Sequence, residues 1–317
     1  MPVFRFDKAL DVARDAKAFL GLKSKRRAAR ERVENVEHKK RKKRVQQEIV
    51  DQEIDYLSDK RRDPPSERIQ TAHLRQPPDF IIIGTQRGGT TSLYRYLTEH
   101  PDVGPAFRKE VHFFDRYYEK GMSWYLAHFP MRGEVPMVGE ASPYYLFHPE
   151  VPERASEAVS PARFIVLLRN PVDRAYSHYQ MKVKRGVEPL SFEDALEKER
   201  ERLSGSDDPM SLTRRHYSYI ERGLYVDQLK RWMSVFPREQ FLIIKSEDLY
   251  EDPGRVLQQT LTYLGLQPWN LASFRPYHLN EYADINPDTR KRLTEHFAPY
   301  NQQLYDFLGR DLGWEHD

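Results

Sequence analysis

The sequence contains no cysteine. Disulfides, thiol nucleophiles, cysteine-ligated zinc and iron–sulfur clusters are excluded together. No run of about 18 uncharged apolar residues occurs, so no membrane-spanning helix is expected. The opening stretch MPVFRFDKALDVARDAK carries Asp7, Asp11 and Asp15 where a signal peptide needs an apolar core, so secretion by that route is not expected. A chain without thiols suits a reducing cytoplasm, which is the expected location. No internal repeat is visible. What remains is 317 residues, 39% of them hydrophobic and 31% charged. Such a chain can bury a sizeable core, and global disorder is excluded.

The net charge of +3 hides an asymmetry. Residues 1–76 hold 21 Lys and Arg against 13 Asp and Glu, a net of +8, whereas the remainder is net −5. Pro77-Pro78 sits on that boundary, which divides a basic helical extension, residues 1–76, from a main domain, residues 77–317. Residues 7–60 contain no proline and only Gly21, so helix is predicted there. Val45, Ile49 and Tyr56 mark a thin apolar stripe, with Leu57 beside it. The runs KSKRR at 23–27 and HKKRKKR at 38–44 suit either a solvated helix face or a contact with an anionic membrane or polysaccharide, through residues 23–44. Such a helix would make the protein peripheral to the membrane. Nucleic acid is not expected, because the segment has few aromatics to stack on bases and no nucleic-acid-binding motif.

The strongest local signal is DFIIIGTQRGGTTSLYRYL at 79–97. Phe80 to Ile83 reads as a buried strand, Gly84 to Gly89 as a turn, and Thr90 to Leu97 as a helix with Leu93 and Leu97 facing inward. Strand, glycine turn and helix start together form an anion site, where free N–H groups and the helix dipole converge. The loop resembles the GxxxxGK[ST] nucleotide loop but puts Thr90 where lysine belongs; its cation is Arg87. The best second strand, RFIVLLRNP at 163–171, ends in Arg169 and Asn170, not in the carboxylate that would hold Mg²⁺. No metal is therefore expected. Arg169, at the C-terminal end of its strand, and Ser177, in the following helix, supply a second anion site. Two such sites imply a ligand with two separate phosphate groups.

Four blocks in order carry a family resemblance: IIIGTQRGGTTSLYRYL, KEVHFFDRYYEKGMSWYLAHFP at 109–130, GEASPYYLFHPEVPERA at 139–155 and RFIVLLRNPVDRAYSHY at 163–179. A weaker match runs through RGLYVDQLKRWMSVFPREQFLIIKSEDLYEDP to the closing FAPYNQQLYDFLGRDLGWE. The chain resembles the sulfotransferases that use 3′-phosphoadenosine-5′-phosphosulfate (PAPS). Within them it resembles the branch of heparan sulfate and other carbohydrate sulfotransferases and their bacterial relatives. The resemblance covers about Asp79 to the C-terminus. It implies an α/β, P-loop-like three-layer fold with a mostly parallel central sheet, and transfer of a sulfuryl group to an acceptor hydroxyl on a glycan or glycolipid. It implies that Arg87, Gly88, Gly89, Thr90, Thr91 and Ser92 hold the 5′-phosphosulfate, and that Arg169 and Ser177 hold the 3′-phosphate. Tyr225 falls in a region that helps close over the nucleotide. Glu110 would be the general base and Arg87 would stabilise the leaving phosphate of the product, adenosine 3′,5′-bisphosphate (PAP). His112 is the rival base, and Asp115 matches a position beside the acceptor hydroxyl.

The sequence also departs from the family. Arg87 replaces the usual loop lysine, keeping the charge and changing the geometry. Ala141 and Thr91 stand where the animal heparan 3-O-sulfotransferases carry basic residues, and the disulfide of the Golgi enzymes cannot form. These departures argue against heparan 3-O specificity. Two other readings remain at this stage. A P-loop kinase would need ATP and Mg²⁺; a non-catalytic nucleotide-fold module would act through its basic helix. Strands are expected near 80–84, 135–139, 163–168 and 241–245. Helices are expected near 89–99, 171–185, 191–203, 223–235, 254–264 and 288–308.

Overall fold

The chain divides into two units, residues 1–61 and 62–317. The computed structural model describes residues 63–205, 211–275 and 283–316, all in the second unit. The basic runs at 23–27 and 38–44 and the stripe of Val45, Ile49 and Tyr56 lie outside the described residues.

Five parallel strands form one sheet: β1 Phe80–Gly84, β2 Val103–Pro105, β3 Met137–Ala141, β4 Arg163–Leu168 and β5 Phe241–Lys245, in the order β2-β3-β1-β4-β5. The chain works outward from β1 in both directions, so the switch in strand order falls beside β1, where open α/β sheets place their ligands. The expected α/β fold with a parallel sheet is what the chain adopts. β3 begins two residues later than the sequence suggests, and β2 was not expected at all. Only three residues long, β2 is too short to leave a periodic signal.

The helices are α1 Ser66–Gln70, α2 Thr90–Leu97, α3 Gly121–Leu126, α4 Val151–Val159, α5 Pro171–Lys184, α6 Phe192–Ser204, α7 Leu212–Tyr217, α8 Tyr225–Met233, α9 Ser246–Glu251, α10 Pro253–Leu264 and α11 Pro287–Leu308. Side chains alternate along each strand. Ile81, Ile83, Phe164, Val166 and Leu168 enter one apolar cluster with the aromatics Phe113, Phe114, Tyr125 and Trp232. Phe80, Ile82, Ile165 and Leu167 enter the other, with Leu93 and Leu97 of α2 and Val256, Leu257 and Leu261 of α10. Burial on both faces explains why β1 and β4 read as unbroken apolar runs.

Residues 63–76, which the charge contrast puts in the extension, pack on this body instead. Arg68 donates to the carbonyls of Ala127 and Phe129 at 2.6 and 2.8 Å, and Arg75 donates to Phe129 at 2.7 Å. Two of the charges that made this segment look like the extension are thus spent on backbone carbonyls. No described helix is long and apolar enough to cross a membrane.

Candidate active site

The donor side is built mostly from backbone. The turn after β1 is pinned by Thr85 N–H to the Leu167 carbonyl at 2.9 Å, and by Ser246 Oγ to the Gly88 carbonyl at 2.9 Å. Gly89 turns the chain into α2 with φ +87°, and no side chain caps that helix start. The first N–H groups of Thr90, Thr91 and Ser92 therefore lie at the positive end of an uncapped helix, which suits an anion. Gly88 is needed for space: a Cβ there would lie 2.9 Å from the Leu167 carbonyl oxygen. Arg87 also takes a positive φ, of 74°, a conformation costing about 1 kcal/mol or more outside glycine.

That backbone turn aims Arg87 at the second anion site. Its Nε donates to Ser177 Oγ at 2.9 Å, and Arg169 donates to the Arg87 carbonyl at 3.2 Å. Residues 90 and 82 positions apart in sequence thus meet at the C-terminal edge of β1 and β4. Arg87 and Ser177, which the resemblance gives to different phosphates, share one hydrogen bond. Tyr225 reaches the end of β4. It is buried and donates to the Arg169 carbonyl at 2.8 Å, bracing the strand end from behind. Asn170 caps α5 through Val172 N–H, and its own N–H donates to Glu247 at 2.9 Å.

The acceptor side is built from charged side chains. Glu110 Oε2 lies 2.8 Å from His112 Nε2, and His112 Nδ1 lies 3.0 Å from Asp115 Oδ2. Arg215 then donates to Asp115 at 2.6 Å. Carboxylate, imidazole, carboxylate and guanidinium form one line. His112 has φ +56° and is held there from below. Its N–H donates to Ser142 Oγ at 3.2 Å, and Phe113 N–H donates to Tyr145 Oη at 2.8 Å. Glu140, fully buried on β3, accepts from Tyr125 at 2.6 Å and Ser142 at 2.9 Å.

The members of this line shift one another's pKa. Burial alone would raise the Glu110 carboxyl, but the His112 hydrogen bond and charge, aided by Lys109 and Arg215, hold it at about 2. Burial works against the His112 cation, yet Asp115 and Glu110 overcome it and raise the pKa. Burial likewise opposes ionisation of Asp115, and His112 and Arg215 outweigh it, so its pKa is well below the usual range. At neutral pH Glu110 and Asp115 are carboxylates, and both favour the charged form of the imidazole between them. The raised His112 pKa works against its neutral, proton-accepting form. Glu110 is also the accessible member, with its side chain 28% exposed against 7% for His112.

Contacts connect the two sides. Arg222 donates to Gln86 in the loop and to the Arg215 carbonyl at 2.8 Å. Arg215 and Arg222 both lie over the Tyr144 ring, at 4.1 and 4.7 Å. Sequence reasoning missed Arg215, Arg222, Glu140 and Ser142. Glu140 and Ser142 stood inside a recognised block, and Arg222 beside the singled-out Tyr225. Arg215 sits in the run RRHY, which nothing distinguishes from an ordinary charged helix face.

The fold is thus a parallel sheet with an arginine–glycine loop at its switch point. Residues 77–285 match the sulfotransferase domain, and the chain belongs to that family. It is 31% identical to mouse heparan sulfate glucosamine 3-O-sulfotransferase 3B1 over 280 residues, covering 80% of this chain and 68% of that protein. The human 3A1 enzyme is 31% identical over 265 residues, covering 76% of this chain and 63% of that one. The chain thus spans about two thirds of the length of these relatives. A sulfotransferase crystal structure from Alicyclobacillus acidocaldarius superposes with a TM-score of 0.65 at 35% identity, covering 76% of this chain and all of that one.

Proposed function

We propose that this sulfotransferase moves a sulfuryl group from PAPS to a hydroxyl on a glycan or glycolipid, releasing PAP. The observation that carries this reading is the meeting of Arg87, Ser177 and Arg169 at the loop that leads into an uncapped helix start. It suits a donor with two anionic groups a short distance apart. PAPS supplies the sulfuryl group and leaves with its 5′-phosphate carrying new negative charge. Arg87 and the N–H groups of Gly88 to Ser92 stabilise that charge, and Arg169 and Ser177 hold the 3′-phosphate.

Glu110 accepts the acceptor's proton as the new O–S bond forms and the old one breaks. Its low pKa keeps it ionised throughout the neutral range, though it makes it a weak base. It therefore acts late, when the attacking hydroxyl has become strongly acidic, and the gain comes chiefly from positioning. His112 orients Glu110, and Asp115 favours the charged form of His112. The named activity of the mouse and human relatives, on heparan sulfate glucosamine, supports a carbohydrate acceptor. We propose further that the basic runs of residues 23–44 bind anionic lipid or polysaccharide, and that the protein works in the cytoplasm, peripheral to a membrane. Salt-sensitive binding to phosphatidylserine vesicles or heparin checks the first point, and its absence at low ionic strength refutes it.

The decisive test is calorimetric titration with PAP in the presence of a chelator, with ATP–Mg²⁺ run alongside. Binding of PAP without metal, followed by label transfer from sulfur-labelled PAPS to a glycan, is expected. Binding of ATP–Mg²⁺ alone would refute the reading and favour a kinase.

A further inference from the structure

Glu140 lies on the interior strand β3, where Ile81 of β1 pairs with it, and it is fully buried. It shares its face of the strand with Val138, a member of the apolar cluster that holds Phe113, Phe114, Tyr125 and Tyr145. An ionisable group in such a place is costly to desolvate, and for stability alone an apolar residue of similar volume often does as well. Its hydrogen-bond partners are three hydroxyl groups. Tyr125 donates to Oε1 at 2.6 Å and Ser142 to Oε2 at 2.9 Å, while the Tyr145 hydroxyl stands 3.5 Å from Oε1.

Two of these hydroxyls lead to the acceptor line. Ser142 Oγ accepts the N–H of His112 at 3.2 Å, and Tyr145 Oη accepts the N–H of Phe113 at 2.8 Å. A hydroxyl has one proton and two lone pairs. With each proton directed at Glu140, a lone pair of each oxygen is turned to the backbone. The carboxyl thereby sets the direction of both hydroxyls, and through them the peptide units on either side of the His112 Cα. Among the described residues, only His112 and Arg87 combine a side chain with a positive φ, and such a backbone persists only where its surroundings hold it. His112 also carries the imidazole that meets Glu110 at 2.8 Å. The third hydroxyl leads elsewhere: the Tyr125 ring stacks on Phe113 at 4.5 Å and meets Phe129 edge-on at 5.0 Å, inside the core.

The two intermediaries are fixed by the sheet. Ser142 N–H donates to the Ile82 carbonyl of β1 at 3.1 Å, and Tyr145 N–H donates to the Ser142 carbonyl at 3.0 Å. Groups carried on strands are held more precisely than groups carried on loops. One continuous set of bonds therefore runs from the sheet, through Glu140 and two hydroxyls, to the His112 backbone and on to Glu110.

Resting on the reading of Glu110 as the base, we propose that Glu140 is a positioning residue for sulfuryl transfer. It orients the Ser142 and Tyr145 hydroxyls, which hold the His112 backbone and so aim Glu110 at the acceptor hydroxyl. Tyr125 shares the carboxyl but not this role. A misplacement of about 1 Å at a reacting group can slow a reaction by on the order of 10²-fold, while binding of the substrates needs no such precision.

The kinetic test uses full-length protein with PAPS and desulfated heparan sulfate at pH 8, above the raised Glu140 pKa of about 7. Glutamine offers one acceptor oxygen where the carboxylate offers two. Glu140→Gln should therefore lower kcat about tenfold, with KM for both substrates within about twofold of wild type. Ser142→Ala should lower kcat by a similar factor. The double variant should lose less than the product of the two single losses, because both changes act along one path. Tyr125→Phe removes the shortest bond to Glu140 and should lower the unfolding midpoint, with kcat within about twofold of wild type. Unchanged kcat in Glu140→Gln would overturn the proposal. So would losses of kcat that follow the unfolding midpoints of all three single variants, Tyr125→Phe included, since a purely structural floor predicts that. Amide hydrogen exchange reads the same positioning without the reaction. The N–H groups of residues 112 and 113 should exchange faster in Glu140→Gln than in wild type, with β5 unchanged; equal exchange there would overturn the proposal. If the wild-type protein transfers no sulfuryl group to this glycan, that acceptor falls, and the exchange measurement still decides whether Glu140 holds the His112 backbone.

Discussion

The two sides of the cleft solve the same electrostatic problem by different means. The donor side meets negative charge with backbone: an uncapped helix start, two glycines, and Arg87 in a left-handed conformation. Its pieces come from one stretch of 79–97, with Arg169 and Ser177 added. The acceptor side uses acidic and basic side chains in a line, Glu110, His112, Asp115 and Arg215, supported by Glu140, Ser142 and Tyr145. Backbone donors are fixed by φ and ψ and depend little on pH. Side-chain charges depend on each other, so one substitution alters the whole line. The donor side should therefore respond to changes of shape and the acceptor side to changes of charge.

The largest effect expected is that of Glu110→Gln. It keeps the volume and removes the proposed base, and turnover should fall by on the order of 10²–10⁴-fold. PAP affinity should stay within about twofold, since the loop is untouched. Single-turnover transfer with bound PAP measured separately reads both quantities, and undiminished turnover would end the base assignment.

Gly88→Ala is the corresponding probe of shape. The added Cβ would lie 2.9 Å from a backbone oxygen and 3.1 Å from Ser246 Oγ, and β4 cannot yield without disturbing the sheet. PAP binding should weaken by about tenfold or more, with stability reduced by roughly 1–3 kcal/mol. Turnover at saturating donor should change far less. A variant that binds PAP normally would show that the loop tolerates displacement, and would remove the contrast between the two sides.

These two sides were not equally legible in the sequence. The donor loop was readable because its chemistry is local: β-branched strand, Gly88-Gly89 and Thr90 follow each other, and each residue type has one physical reason to be there. Four of the five strands were expected within two residues for the same reason, as continuous apolar runs. Glu110 and His112 were found through the resemblance and not through any pattern, since a carboxylate beside Lys109 is ordinarily a surface pair. Arg215 belongs to the site only because α7 brings it 100 positions back along the sequence to Asp115, and no local feature records that contact. Residues 63–76 were misjudged because composition reports charge and not the carbonyls to which Arg68 and Arg75 bind.

A smaller effect tests the buried floor of the acceptor side. Burial raises the Glu140 carboxyl to about 7, despite the hydrogen bonds from Tyr125 and Ser142. His112 and Asp115 act on it as well, in opposite directions. The folded protein keeps this proton between about pH 4.5 and 7, where the unfolded chain has released it. The associated stability is complete below that window and is lost as pH rises through it, by up to about 3 kcal/mol. Glu110 works the other way, contributing above about 4.5 and losing its share as pH falls towards 2. Urea unfolding of Glu140→Gln and wild type at pH 5 and pH 8 should show the variant gaining on wild type at the higher pH. A constant gap would mean that Glu140 is ionised in the fold.

The smallest effect separates support from contact on the donor side. Tyr225→Phe removes only the hydroxyl that donates to the Arg169 carbonyl at 2.8 Å. The buried carbonyl loses a partner at a cost of about 1 kcal/mol. Because the Tyr225 hydroxyl is engaged by the Arg169 carbonyl, PAP affinity should fall only a few-fold, through a less firmly held guanidinium. If Tyr225 instead closed over the nucleotide, as its place in the sequence suggests, the loss would exceed tenfold and stability would hardly change. Measuring PAP affinity and unfolding free energy on the same variant distinguishes these cases, because a brace costs both quantities by similar amounts and a contact costs only the first.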